Sequence, residues 1–184
     1  NLRSRSVGAG LAGVRTESFE YDRNNRVTAR LSPLGERTSY AYDGTGNRAQ
    51  MTDALGRITD YAFDRNNRLL TETLPSVAEG AGVVRHTVSH QYDGAGNRIA
   101  TTDENGHTTR MGYDRDNRLV LLEDANGIKT VFGYDSRHNR TSVQIGVQAS
   151  MDASNHVVVT SVADAQVQTF AYDDRGRFLS STRD

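Results

Sequence analysis

The sequence has no cysteine and no tryptophan, only two prolines, and a single lysine, Lys129, among its 22 basic residues. Without cysteine there is no disulfide framework and no thiolate metal site. A basic complement that is nearly all arginine favours forked, directional pairing over diffuse ammonium charge. Charge of neither sign dominates. The formal net charge is −1 over 184 residues, so no global field argues for nucleic acid or for a cationic partner. The longest apolar runs, such as Val157-Val158-Val159, are far too short to cross a bilayer as a helix. The chain begins at Asn1 rather than Met and stops at Asp184 inside another copy of the pattern below, so it is expected to be a piece of something longer. A hydrophobic content of 35% and a mean hydropathy of −0.66 are lean for a solid core. Eight tyrosines and five phenylalanines nevertheless argue against disorder.

What the sequence does have is a repeat. An aromatic–Asp pair occurs at Tyr21-Asp22, Tyr42-Asp43, Phe63-Asp64, Tyr92-Asp93, Tyr113-Asp114, Tyr134-Asp135 and Tyr172-Asp173. Four of the six spacings are 21 residues, and the other two, 29 and 38, carry insertions near residues 74–87 and 145–166. Such periods are the signature of repeat architectures. An Asn and an Arg close each hinge: Asn25-Arg26, Asn47-Arg48, Asn67-Arg68, Asn97-Arg98, Asn117-Arg118 and Asn139-Arg140. In the last copy Gly176 takes the Asn position before Arg177. Asp favours the first position of a type I turn, and a following Asn or Gly in the left-handed region closes a three-residue hairpin with a bulge. A second turn lies half a repeat on, ending at Gly35, Gly56, Gly106 or Gly127, with Pro33 where its fixed φ helps. After Tyr42, Tyr92 and Tyr134 the hinge reads as one residue longer than after Tyr21, Phe63, Tyr113 and Tyr172.

Five to seven residues separate the turns, the usual length of a strand. Tyr40 and Tyr42 alternate with Ala41, and Met111 and Tyr113 with Gly112. Val27, Ala29 and Leu31, and Leu119 with Leu121, read as sharing one face. No stretch sustains a 3.6-residue period. The spacing therefore predicts an all-β fold: repeated antiparallel β-hairpins of about 21 residues forming a curved ribbon. Equivalent aromatics would lie two strands apart, with side chains of the intervening strand between them. Residues 1–16 stay an unassigned lead-in, and residues 17–184 carry the repeat.

Through Tyr-Asp-x-x-Asn-Arg, Tyr-Asp-x-x-Gly-Asn-Arg, Asp-x-x-Gly and the next aromatic-Asp, the chain resembles the RHS/YD-repeat family of bacterial polymorphic toxins, insecticidal toxin complexes and animal teneurins. The resemblance implies that the ribbon is part of a hollow shell. It further implies that the shell encloses a C-terminal toxin in a secreted or cell-surface bacterial protein used in interbacterial competition. The partners implied are the rest of that shell and its enclosed polypeptide. The Asp-Pro-rich terminus of bacterial members is missing, so no self-cleavage residues are carried over.

Other motifs are explained by turn chemistry or fail on geometry. Asp43–Asn47 and Asp103–Gly106 are loosely like calcium loops but lack the closing Glu. His86 and His90 would sit about 13 Å apart on a strand, too far to share a metal unaided. Gly8–Gly13 matches a dinucleotide fingerprint in letters but follows no apolar strand. Asn139-Arg-Thr141 is a glycosylation sequon by composition. No nucleophile–base–orienter set can be read, so no catalytic residue, metal or cofactor is assigned and this segment is expected not to be an enzyme. An alternative is an extracellular adhesion module that binds cell-surface glycans through the Tyr and Arg rows or the insertions.

Overall fold

The computed structural model describes residues 4–7, 15–80 and 82–183, and among them there is no helix. Nineteen strands follow one another. They are β1 (Ser4–Val7), β2 (Arg15–Tyr21), β3 (Val27–Leu31), β4 (Arg37–Tyr42), β5 (Arg48–Thr52), β6 (Ile58–Phe63) and β7 (Leu69–Thr73), then β8 (Val77–Glu79) and β9 (Gly82–Val84). β10 (Thr87–Tyr92), β11 (Arg98–Thr102), β12 (Thr108–Tyr113), β13 (Leu119–Glu123), β14 (Lys129–Tyr134) and β15 (Arg140–Ile145) resume the repeat. β16 (Gln148–Met151) and β17 (Val157–Ser161) interrupt it, and β18 (Gln166–Tyr172) and β19 (Phe178–Arg183) complete it.

The chain divides into two compact units, Asn1–Ser89 and His90–Asp184. In the first, β1 to β7 pair consecutively and antiparallel, and β7 then takes the start of β10. In the second the order is β10-β11-β12-β13-β14-β15-β18-β19. Neither order returns on itself, so the sheet is a meander and not a closed barrel. β8–β9 and β16–β17 are separate two-stranded hairpins that occupy the two insertions. Residues 4–7 of the unassigned lead-in pair with β2, Ser4 opposite Ser18.

The register differs from simple alternation in one respect. At six of the hinges, the strand after the turn carries one extra residue. Glu20 pairs with Ala29 and Tyr21 with Val27, which leaves Thr28 as a bulge. The same shift isolates Ala49, Leu70, Val120, Thr141 and Leu179. Directly opposed residues share a face. Val27 therefore lies on the Tyr21 face while Ala29 and Leu31 lie on the other, and Leu119 is likewise separated from Leu121. The expected single-face rows at Val27/Ala29/Leu31 and Leu119/Leu121 are corrected on this point.

Burial is modest, as the composition implies. Among the described residues no large side chain is fully buried. The Tyr face of the first unit carries Tyr40, Tyr42, Tyr61 and Phe63. The opposite face is polar, with Arg37 bonded to Glu20 at 2.6 Å and Gln50 to Asp60 at 2.7 Å. In the second unit that opposite face becomes apolar at Leu121 and Val131, and β16 folds back onto it. Val147, 2% exposed, and Ala149 complete a small cluster with Met151, Val157 and Ala165 around it. Lys129, the sole lysine, pins the hairpin by donating Nζ–H to the Ala149 carbonyl at 2.8 Å. The absence of a side chain at Gly112 makes room, since a Cβ there would lie 2.8 Å from Met151 Sδ.

Candidate functional site

The recurring chemistry lies at the hinges. At the first, Asn25 N–H donates to the Asp22 carbonyl at 3.1 Å and Asp22 N–H to the Arg26 carbonyl at 3.0 Å. This is a type I turn closed by a left-handed residue, Asn25 at φ 63°. The Asp22 side chain completes the turn. Its Oδ1 accepts the N–H groups of Asn24 and Arg26 at 2.8 and 2.9 Å, and its Oδ2 accepts Arg26 Nε–H at 2.7 Å. The backbone pattern recurs at Asp43, Asp53, Asp64, Asp93, Asp103, Asp114, Asp124, Asp135, Asp152 and Asp173, and with Ser32 in the Asp role.

All these turns have one length, so the expected longer hinge after Tyr42, Tyr92 and Tyr134 is corrected. Two hinge types alternate instead. In the first, Asn25, Asn67 and Asn117 take positive φ, and Arg26, Arg68 and Arg118 bond the turn Asp. In the second, Gly46, Gly96 and His138 take positive φ. Asn47, Asn97 and Asn139 move one place on, where their Nδ2 groups donate to Asp43, Asp93 and Asp135 at 3.1, 3.0 and 2.9 Å. Arg48, Arg98 and Arg140 are thereby pushed into the first strand position. The mid-repeat glycines Gly35, Gly56, Gly106 and Gly127 all have positive φ, as turn chemistry requires.

These bonds depress the carboxylate pKa values. Asp43 is held down to about 2, chiefly by the Thr45 hydroxyl and then by Asn47, against partial desolvation. For Asp22, Asp53, Asp64 and Asp173 the leading cause is the backbone N–H four residues on. At Asp114 desolvation is the largest single effect and pushes upward, but the turn and Arg118 outweigh it.

Successive hinges are tied to one another in two alternating ways. The Arg26 guanidinium lies over the Tyr42 ring, 4.5 Å from its centroid, and Arg118 lies over Tyr134 at 5.1 Å. The next step uses amides: Asn47 Nδ2–H donates to Asn67 Oδ1 at 2.8 Å and Asn97 to Asn117 at 2.7 Å. Tyrosine hydroxyls reach to a backbone carbonyl at the start of the neighbouring, preceding strand of the sheet. Tyr42 bonds Val27, Tyr113 bonds Arg98, Tyr134 bonds Leu119 and Tyr172 bonds Arg140, at 2.7, 3.2, 2.9 and 3.0 Å. Arg48 over Tyr40 and Arg140 over Phe170 add to the stacking. The sequence placed Asp and Arg within one hinge; the Arg–Tyr, Asn–Asn and Tyr–carbonyl ties were not read from it, although the strict alternation of hinge types was their signal.

The remaining candidates fall out separately. His86 bonds Glu79 at 2.5 Å and His90 bonds Thr101 at 3.2 Å. The Asp43 and Asp103 carboxylates are directed at their own turns. The Asn139 amide of the sequon is engaged with Asp135. Gly8–Gly13 lies outside the described residues. The first insertion is anchored by Arg85, which donates to the Leu74, Ile58 and Thr73 carbonyls and pairs with Asp60 at 2.6 Å.

The RHS Repeat family model matches residues 21–58, 92–123 and 113–145, half of the chain, and each match starts on a hinge tyrosine: Tyr21, Tyr92 and Tyr113. The chain belongs to the RHS-repeat family. No curated protein matches it. Among solved structures, TcdB2-TccC3 without its hypervariable C-terminal region matches over 92% of this chain at 15% identity and a TM-score of 0.59. The Photorhabdus luminescens Tc holotoxin pore, carrying a TccC3 mutation, covers 92% at 14% identity and a TM-score of 0.42. The likeness to the first is one of fold, and this RHS-repeat chain spans 11% of that structure's chain.

Proposed function

We propose that this RHS-repeat chain is a wall segment of a shell that encloses a polypeptide, such as a toxin domain, within a larger exported protein, and that the segment itself is not an enzyme. The observation that supports it is the economy of the hinge row. Side chains at four of the hinges, Arg26, Asn47, Asn97 and Arg118, are spent on the next hinge, while no large side chain among the described residues is fully buried. A sheet held along its hinges and left thin between them suits enclosure and does not suit a solid globule. The fold shared with TcdB2-TccC3 supports the same reading.

The test is protease protection of the parent protein. Enclosure predicts that a polypeptide carried by the parent survives protease until the shell is opened by denaturant or by deleting two hinge repeats. Digestion of that polypeptide at the same rate with the repeats intact overturns the proposal.

A second reading, glycan binding, is favoured by one feature. A polar cleft of about 430 Å³ between the last two hinges is lined by Asp135, Arg137, Phe170, Tyr172 and Asp173. A glycan array with the folded chain, in which Arg137→Ala leaves every signal unchanged or no glycan registers, counts against it.

A further inference from the structure

The inserted hairpin β16–β17 leaves an open groove of about 300 Å³ beside it, floored by Ile99, Gly112, Leu121 and Met151 and rimmed by Arg110 and Glu123. Three features of this groove converge on one kind of occupant.

The first is an unused strand edge. The β16–β17 turn closes on Asp152 and His156, with Asp152 N–H on the His156 carbonyl at 2.9 Å. Antiparallel pairs alternate between bonded and non-bonded, so Ser150–Val158 is the next bonded pair. Ala149 and Met151 therefore turn their N–H and C=O groups away from β17. Lys129 takes the Ala149 carbonyl on that side. Met151 meets no strand there, since β16 and β17 form a two-stranded sheet. The second is the apolar floor at the foot of that edge. The third is charge. Arg110, Glu123 and Lys129 stand in one cross-strand row. Lys129 is directed to Ala149, and Arg110 is 3.9 Å from Glu123, beyond hydrogen-bond distance, with 62% of its side chain exposed. Its fork is open to a second carboxylate.

We propose that this groove docks an extended polypeptide segment that adds to the free edge of β16, places an aliphatic side chain on the Ile99–Met151 floor and sets a carboxylate two residues away against Arg110. Residues two apart share a face of a strand, so both side chains reach the groove together. The inference rests on the wall reading for the source of the segment, which is the enclosed polypeptide.

The experiment uses ¹³C-methyl methionine NMR on the 184-residue chain. Met151 lines the groove, while Met111, whose side chain lies on the opposite face of β12, and Met51, in the other unit, serve as internal controls. The probes are blocked pentapeptides, Thr-Leu-Thr-Asp-Thr and its Thr-Leu-Thr-Lys-Thr counterpart, and decanoate. The acidic peptide is expected to shift Met151 but neither Met111 nor Met51, with a preference over the lysine peptide of about tenfold. Arg110→Glu reverses that preference, and the exposed position of Arg110 keeps the variant folded. Three results overturn the proposal: no shift with either peptide, equal shifts with both, or a response to decanoate alone, which would make the groove a fatty-acid site. Failure here with protease protection intact removes only the groove. Loss of protection with peptide binding intact removes the wall reading instead.

Discussion

The Arg26 guanidinium lies 4.5 Å from the centre of the Tyr42 ring while its Nε–H bonds Asp22 at 2.7 Å. One side chain thus closes its own turn and holds the next. Lysine keeps the charge but neither the fork nor the flat face. Arg26→Lys is expected to lower the thermal midpoint more than Arg23→Lys, a turn position with no such tie. Tyr42→Phe removes the hydroxyl bond to the Val27 carbonyl and should cost about 1 kcal/mol. Thermal and urea unfolding of the three variants is the check, and equal midpoints for Arg26→Lys and Arg23→Lys would remove the inter-hinge role.

The last amide tie is missing. Asn139 occupies the position of Asn47 and Asn97, but its neighbour is Gly176, at φ 75°, where the earlier pairs have Asn. A Cβ at Gly176 would sit 3.6 Å from Asn139 Oδ1, ordinary contact, and Asn tolerates the left-handed region. Gly176→Asn is expected to restore the bond and stabilise the second unit by about 0.5–1.5 kcal/mol. Hydrogen exchange at Arg177 and Phe178 should slow, and an unchanged exchange rate would show that the pair does not form.

Gly112 is the seat of the second insertion. A Cβ would lie 2.8 Å from Met151 Sδ and 3.3 Å from Leu121 Cβ. Gly112→Ala should destabilise by about 1–3 kcal/mol through overpacking. Gly112→Ala combined with Met151→Ala should cost clearly less than the two single changes added together, because contacting residues couple. Strict additivity in denaturant unfolding would place the hairpin off this face.

Acid should open the hinges. Asp43 has a folded pKa of about 2 against an ordinary 3.8, so its contribution is complete above 3.8 and disappears as pH falls toward 2. Asp43→Asn is expected to be less stable than the natural chain at neutral pH, with the difference shrinking through that window. Urea midpoints across the range measure it, and a difference that stays constant to pH 2 contradicts the assignment.

Turn positions were legible in the sequence because Asp, Asn and Gly have local reasons to be there. Asn25 and Gly56 adopt the left-handed backbone their letters suggest. The face of Val27 was not legible. The bulge at Thr28 is a matter of inter-strand register, which no property of Thr28 itself announces. Asn47 was misread for a similar reason: its letter fits a left-handed turn residue, but Gly46 had already taken that place and freed the Asn side chain to bond Asp43. The seating of β16 on Leu121 and Val131 joins residues about twenty positions apart through the fold, and neither segment is apolar enough by itself to predict it.

Three hinge tyrosines find their carbonyl fifteen residues back, Tyr42 at Val27, Tyr113 at Arg98 and Tyr134 at Leu119. Tyr172 does so across thirty-two, with the inserted hairpin looped out between. The clamp is therefore indifferent to what is threaded between its two halves, provided the strands on either side keep their phase. Such a chain can be lengthened or shortened by whole hairpins, or made to carry a new excursion, without rewriting its neighbours. A gain or loss of one residue inside either strand of a clamped pair, by contrast, would turn that pair's hydroxyl onto the wrong side.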